Sequence, residues 1–259
     1  MTDLVLTQRD GPIATVILNR PDRLNAMSWP MWRALGEAVL ALSADTGLRC
    51  IVIRGAGGKA FSPGNDISEF ESVRSTPAQA KAYGEDLYLA LNAVKQSPHP
   101  TVALIEGICV GGGLELAALC DLRICGESSR FGVPIKRLGL VMAYPEVEGL
   151  LALVGRAVTL EILLEGRVFG AAEAKEKGLV TRVVADADVE AEAIAAARRI
   201  AEGAPLAARW HKKFVNRLAQ PEPLSAAELD EGYACYATED FQIGYRSFLE
   251  KKPPVFKGR

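Results

Sequence analysis

Apolar positions in the first half of the chain come in short bursts separated by polar, glycine-rich joints. Leu4–Thr7 and Ile13–Leu18 alternate or run apolar around Arg9-Asp10-Gly11-Pro12, which predicts a hairpin. CIVIR at 50–54 and TVALI at 101–105 are unbroken apolar runs and predict buried strands. Helical spacing follows each of them. Met31–Leu42 repeats with Ser28 as N-cap and Pro30 just inside, and Pro77–Lys95 is a long amphipathic stretch ended by Ser97-Pro98-His99-Pro100. Further strands are predicted at Leu122–Cys125 and Leu179–Val184, with short helices at 146–154, 156–164 and 171–177. The repeating unit is two strands and a helix. Such units suggest an α/β spiral of ββα turns rather than a doubly wound sheet. From Asp188 onward the pattern is helical only, at 188–202, 205–218, 224–236 and 240–251. The chain therefore divides into a mixed core, 1–188, and a helical C-terminal lobe, 189–259. Apolar faces left over on that lobe pack on another subunit or fold back on the core; the pattern leaves both open.

The stretch TVALIEGICVGGGLELAALCDLRIC, 101–125, organises the rest. It reads as strand, glycine turn (Gly111-Gly112-Gly113), short helix (Leu114–Leu119) and second strand. Three glycines let the backbone approach a ligand closely and leave N–H groups free, at the positive end of the following helix. Glu115 stands between Leu114 and Leu116 in a helix that is apolar nearly all round, so it is expected to be partly buried. A buried carboxylate is costly and tends to be protonated or put to use. An anion site beside such an acid suits a reaction that builds an oxyanion and moves a proton. The plainer alternative is a tight turn with a locally paired glutamate.

Composition narrows the chemistry. The 259 residues, 49% hydrophobic, suffice for one large core or two unequal lobes, and a net charge of −2 argues against nucleic acid as partner. The N-terminal residues read as neither signal nor transit peptide, and apolar runs stop well short of the ~18 residues of a membrane span. Five cysteines in apolar segments, without CxxC spacing, read as free thiols of a reducing, cytoplasmic compartment. The two histidines, His99 and His211, suggest no triad and no metal cluster. GGGLEL lacks the dinucleotide fingerprint. No metal or redox cofactor is expected, which leaves carboxylates, backbone amides and tyrosines to carry any chemistry.

Six segments, in this order and spacing, resemble the crotonase (enoyl-CoA hydratase/isomerase) superfamily over essentially the full length. They are LNRPDRLNAM at 18–27, AFSPGNDI at 60–67, IEGICVGGGLELAALCD at 105–121, RFGVP at 130–134, GRVFGAAEAKEKGLV at 166–180 and EDFQIGYRSFLEKKPPVF at 239–256. The resemblance implies a spiral of ββα units with a helical oligomerisation region, and a homotrimer or dimer of trimers. It implies an acyl-CoA thioester of fatty acid metabolism as substrate, with coenzyme A arriving as part of it. It places the oxyanion hole on the backbone amides of Asn65 and Gly112 and the catalytic acid at Glu115. Coenzyme A contacts fall by resemblance on Arg23, Pro63, Asn65 and Ile67, and on Phe248 and Lys251 offered by a neighbouring subunit. For Lys251 a solvated tail lysine is an equal alternative.

One departure matters. Hydratases of the family carry a second glutamate in the Phe-Gly-x-Pro segment, where this chain has Ile135. Isoleucine neither activates water nor donates a proton. The following loop, Val141–Glu148, places Ala143 where some relatives carry an aspartate and adds Tyr144, Glu146 and Glu148. Glu146 is the candidate replacement acid; the alternative is an ordinary first-turn helix glutamate. Met142 and Tyr144 suggest a narrowed acyl pocket. Three functions stay open at this point: a hydratase-type lyase, an isomerase working with one carboxylate, and an acyl-CoA-binding protein without catalysis.

Overall fold

The computed structural model describes residues 3–259; residues 1 and 2 of the N-terminal stretch lie outside it. Six strands form the larger sheet: β1 (Val5–Asp10), β2 (Ile13–Leu18), β3 (Cys50–Gly55), β5 (Thr101–Ile105), β7 (Leu122–Gly126) and β10 (Arg182–Val184), in the order β1-β2-β3-β5-β7-β10. Within this sheet, among the described residues, only the β1–β2 hairpin is antiparallel. Four strands of three residues each form a second sheet: β4 (Ala60–Ser62), β6 (Ile108–Val110), β8 (Arg130–Gly132) and β9 (Val168–Gly170). Each turn of chain gives one strand to the large sheet and the next to the small one, as β3→β4, β5→β6 and β7→β8. This is the ββα spiral. The small sheet is absent from the hydrophobic pattern because a three-residue strand carries too few positions to show a period of two.

Helices close the turns: α1 (Trp29–Ser43), α2 (Phe70–Val73), α3 (Pro77–Gln96), α4 (Gly112–Ala118), α5 (Tyr144–Glu165) and α6 (Ala171–Glu176). Gly155, at φ +70°, kinks α5 where the sequence pattern separates two helices. Ser28 does occupy the N-cap of α1, but its hydroxyl makes no capping bond. The Glu69 carboxylate does that work, accepting from Trp29 N at 2.9 Å. The terminal helices are α7 (Val189–Glu202), α8 (Pro205–Leu218), α9 (Ala226–Glu231) and α10 (Glu239–Leu249).

The central strands are buried on both faces, which explains their unbroken apolar runs. Ile51, Ile53, Ala103 and Ile105 face the main core with α1 and α3, while Cys50, Val52, Val102 and Leu104 point the other way. That second face is covered by Val189, Ala193, Ala196 and Ala197 of α7. Thus α7, the first helix of the region read as a C-terminal lobe, completes the core. Helices α8 to α10 instead keep Val215, Leu218, Leu229, Phe248 and Leu249 exposed, and Tyr233 just after α9 is exposed as well. Among the described residues no helix is long and apolar enough to cross a membrane.

Candidate active site

Two loops meet where the small sheet ends. Strand β4 delivers Pro63-Gly64-Asn65, and β6 delivers Gly111-Gly112 at the start of α4. Met27 N donates to Gly64 O at 2.8 Å and Asp66 N donates to Met27 O at 2.9 Å, a single parallel bridge. In that geometry Met27 pairs with the residues flanking Asn65, so the Asn65 amide faces away from the bridge. Gly111 N donates to Gly132 O, and Gly112 is the first helical residue, whose N–H has no acceptor within the helix. Among the described residues neither the Asn65 nor the Gly112 amide has a hydrogen-bond partner. A Cβ on Gly112 would stand 3.6 Å from Asn65 N, so the two donors lie side by side.

Glycine is required around them. Gly64 has φ +91°, and a Cβ there would meet Gly112 N at 2.5 Å; one on Gly113 would strike Ser62 O at 2.2 Å. The Asn65 side chain anchors the loop, its Oδ1 accepting from Trp32 Nε1 (2.7 Å) and the Tyr83 hydroxyl (3.1 Å). Helix α4 has only seven residues, so the positive potential here comes mainly from the amides themselves.

Glu115 projects from the first turn of α4 and is 6% exposed, among Leu114, Leu116, Ala117 and Ala118. Its Oε2 is buried without a hydrogen-bond partner among the described residues. Glu146, in the first turn of α5, is buried to the same degree. Glu146 Oε2 accepts from Ala143 N, and its Oε1 lies 3.8 Å from Arg74 Nη2. Arg74 follows α2 and stacks over the rings of Phe70 (5.2 Å) and Tyr83 (4.9 Å). Burial pushes the Glu115 carboxyl well above the usual carboxylate range; the negative charge of Glu146 pushes the same way and Arg74 opposes. Burial also raises Glu146, against the Ala143 amide and Arg74. On α3, burial raises the Tyr88 phenol, and the negative charge of Glu146 adds to it. Two buried carboxyls within reach of one another do not both ionise cheaply near neutral pH.

The profile of the enoyl-CoA hydratase/isomerase family matches residues 8–259. The chain belongs to the enoyl-CoA hydratase/isomerase family. It is similar to a crystal structure described as an enoyl-CoA hydratase/carnithine racemase from Magnetospirillum magneticum: 51% identity, TM-score 0.98, 100% of this chain and 97% of that one. It is also similar to the enoyl-CoA hydratase of Bacillus anthracis at 29% identity and TM-score 0.91, over 99% and 100% of the two chains. A Mycobacterium bovis protein named "Probable enoyl-CoA hydratase" shares 34% identity over 99% of each chain. The crotonase-type α/β fold read from the sequence is the fold of these relatives.

Within this family frame, Ile135 is half-buried and packs on the main core, where it offers no proton chemistry. Of the three loop residues weighed as replacements, only Glu146 is buried and acts electrostatically on Glu115. Glu148 is 58% exposed and paired with Lys95 at 2.7 Å, and Tyr144 is 95% exposed. Tyr144 is the solvent-facing first residue of α5, and Met142 is buried in the core. Pro63 is half-buried, and Ile67 and Arg23 are exposed on the loops that lead to the amides. Phe248 and Lys251 are exposed around the end of α10, and Lys251 has φ +53°. Sequence reasoning missed Trp32, Arg74, Tyr83 and Tyr88. Trp32 and Tyr83 look like ordinary apolar positions of α1 and α3, and nothing local distinguishes Arg74.

Proposed function

We propose that the chain adds water to, or removes it from, a 2-enoyl-CoA thioester. The observation that carries this reading is the pair of free amides at Asn65 and Gly112 beside the buried Glu115. A thioester oxygen seated between those amides receives the electron density displaced when water attacks the β-carbon, and the result is an enolate held by two fixed donors. One carboxylate takes the proton of the attacking water. The other acid gives a proton to the α-carbon as the enolate collapses, so charge and protons balance. Glu115 is one of these groups, and Glu146, brought to it from α5, supplies the function that Ile135 lacks. Family membership supports an acyl-CoA thioester as substrate. Coenzyme A enters as part of that substrate and no further cofactor is needed. Arg23, Pro63, Asn65 and Ile67 flank its path, and Phe248 and Lys251 contact its nucleotide across a subunit boundary. The exposed apolar side chains of α8 to α10 support a homotrimer or dimer of trimers. Four buried free thiols suit a reducing cytoplasm.

The test follows the absorbance of the conjugated thioester in a 2-enoyl-CoA mixed with the protein. Loss of absorbance, slowed about 10²–10⁴-fold by Glu115→Gln, is the expected outcome. Absorbance gained from a 3-enoyl-CoA, with the 2-enoyl thioester left intact, would replace hydration by isomerisation. Thermal stabilisation by acyl-CoA without turnover would reduce the site to a binding site.

A further inference from the structure

We propose that Arg74 is a positioning residue that fixes the single proton of the Glu115–Glu146 pair on Glu115 and keeps Glu146 ionised. The catalytic consequence rests on the hydratase reading above; the placement of the proton is a property of the free protein.

The two carboxyl groups have unequal surroundings. Glu146 has a partner for each oxygen, the Ala143 amide on Oε2 and the Arg74 guanidinium 3.8 Å from Oε1. Glu115 Oε2 has none among the described residues, and the other residues of its helix are all apolar. A charge on Glu146 is thus compensated by an ion-paired cation and a donor, whereas a charge on Glu115 would have only the more distant pull of Arg74. Arg74 favours a charge on either carboxyl, and it is within ion-pair distance of Glu146. Its guanidinium rests on the faces of Phe70 and Tyr83, and its Nη1 is buried without a hydrogen-bond partner among the described residues. Among the described residues, Glu146 is the only acid within ion-pair distance of it.

The other groups around the pair do not compete. Tyr83 and Tyr88 of α3 are phenols that burial keeps protonated through the neutral range. Asp66 is held by Arg20 at 2.9 Å, and Glu69 accepts from Trp29 N. The division of labour follows. Glu146, already ionised, removes the proton from the attacking water as the oxygen–carbon bond forms. Glu115, already protonated, delivers its proton to the α-carbon. The pair ends with the proton moved from Glu115 to Glu146, and its return through the pair or solvent restores the resting state.

Two measurements test this. Infrared difference spectra of the free protein at neutral pH, wild type minus Glu115→Gln, should contain a carboxylic-acid C=O band. The absence of that band, or its loss in Glu146→Gln with retention in Glu115→Gln, would overturn the proposal without touching the hydratase reading. In turnover, Arg74→Met should move the acid limb of the kcat/KM profile to higher pH by about one unit or more, since an opposite charge at this range is worth ~1–3 units. Arg74→Lys should restore most of that shift. An Arg74→Met enzyme that is slower with an unmoved acid limb would show that Arg74 only packs between the rings, and would contradict the proposal.

Discussion

The two halves of the site are built on opposite principles. The amide half, Asn65 and Gly112, is made of backbone, fixed by glycines whose Cβ atoms would collide with neighbouring main chain. The acid half, Glu115, Glu146 and Arg74, is made of side chains from three separate elements and holds two carboxyls against one cation. The first half has no titrating group and no freedom to adjust. The second depends on pH and on each partner. A reaction that needs both an oxyanion hole and a proton relay thus draws them from regions that tolerate change differently: the hole is rigid and pH-blind, the relay adjustable and pH-sensitive.

That contrast is open to attack in order of effect. Gly112→Pro deletes one donor while keeping a residue suited to the first position of a helix. It should lower kcat about 10²–10³-fold, the usual cost of one oxyanion donor, by the same factor at every pH. A loss that varied with pH, in a steady-state profile, would tie the amide to the titrating half and break the distinction. Glu146→Gln should lower kcat by ~10²-fold and change the shape of the pH profile. Unchanged turnover would return Glu146 to an ordinary first-turn helix glutamate.

The smallest effect concerns stability. The Glu115 carboxyl titrates higher in the folded chain than in the unfolded one. Between the ordinary carboxylate value and the raised one, the unfolded chain has lost a proton that the folded chain keeps. Stability therefore falls as pH rises through that window. Glu115→Gln removes this loss. It should melt higher than the wild type at neutral pH, by about 2–4 °C if ~1 kcal/mol is recovered, with the gain vanishing below the ordinary carboxylate range. A variant destabilised equally at all pH values would mean that Glu115 is stabilised by contacts rather than burdened by burial.

The same division governs how much of the molecule was legible in the sequence. The large sheet and α1 and α3 were plain because long, two-sided burial writes unbroken apolar runs at Cys50–Arg54 and Thr101–Ile105. The Gly112 amide was legible for a related reason: close backbone approach demands glycine, and the 111–113 triplet stands out. The Asn65 amide came from the family resemblance. Glu115 showed itself as a charge in an apolar helix. The acid half beyond Glu115 was much less readable. Glu146 looked as much like a dipole-favoured first-turn residue as an acid, and the contact that brings it to Glu115 joins α4 to α5 across about thirty residues. Arg74 and the tyrosines serve the site through tertiary contact alone, and the small sheet consists of strands too short to carry a period.

The central claim, that the amides of Asn65 and Gly112 hold the thioester oxygen, is tested most directly by the infrared frequency of a carbonyl-labelled acyl-CoA bound to the protein. The account predicts a shift to lower frequency relative to the free thioester, reduced in Gly112→Pro and largely kept in Glu115→Gln. A bound carbonyl at its solution frequency, or a shift untouched by Gly112→Pro, would contradict it.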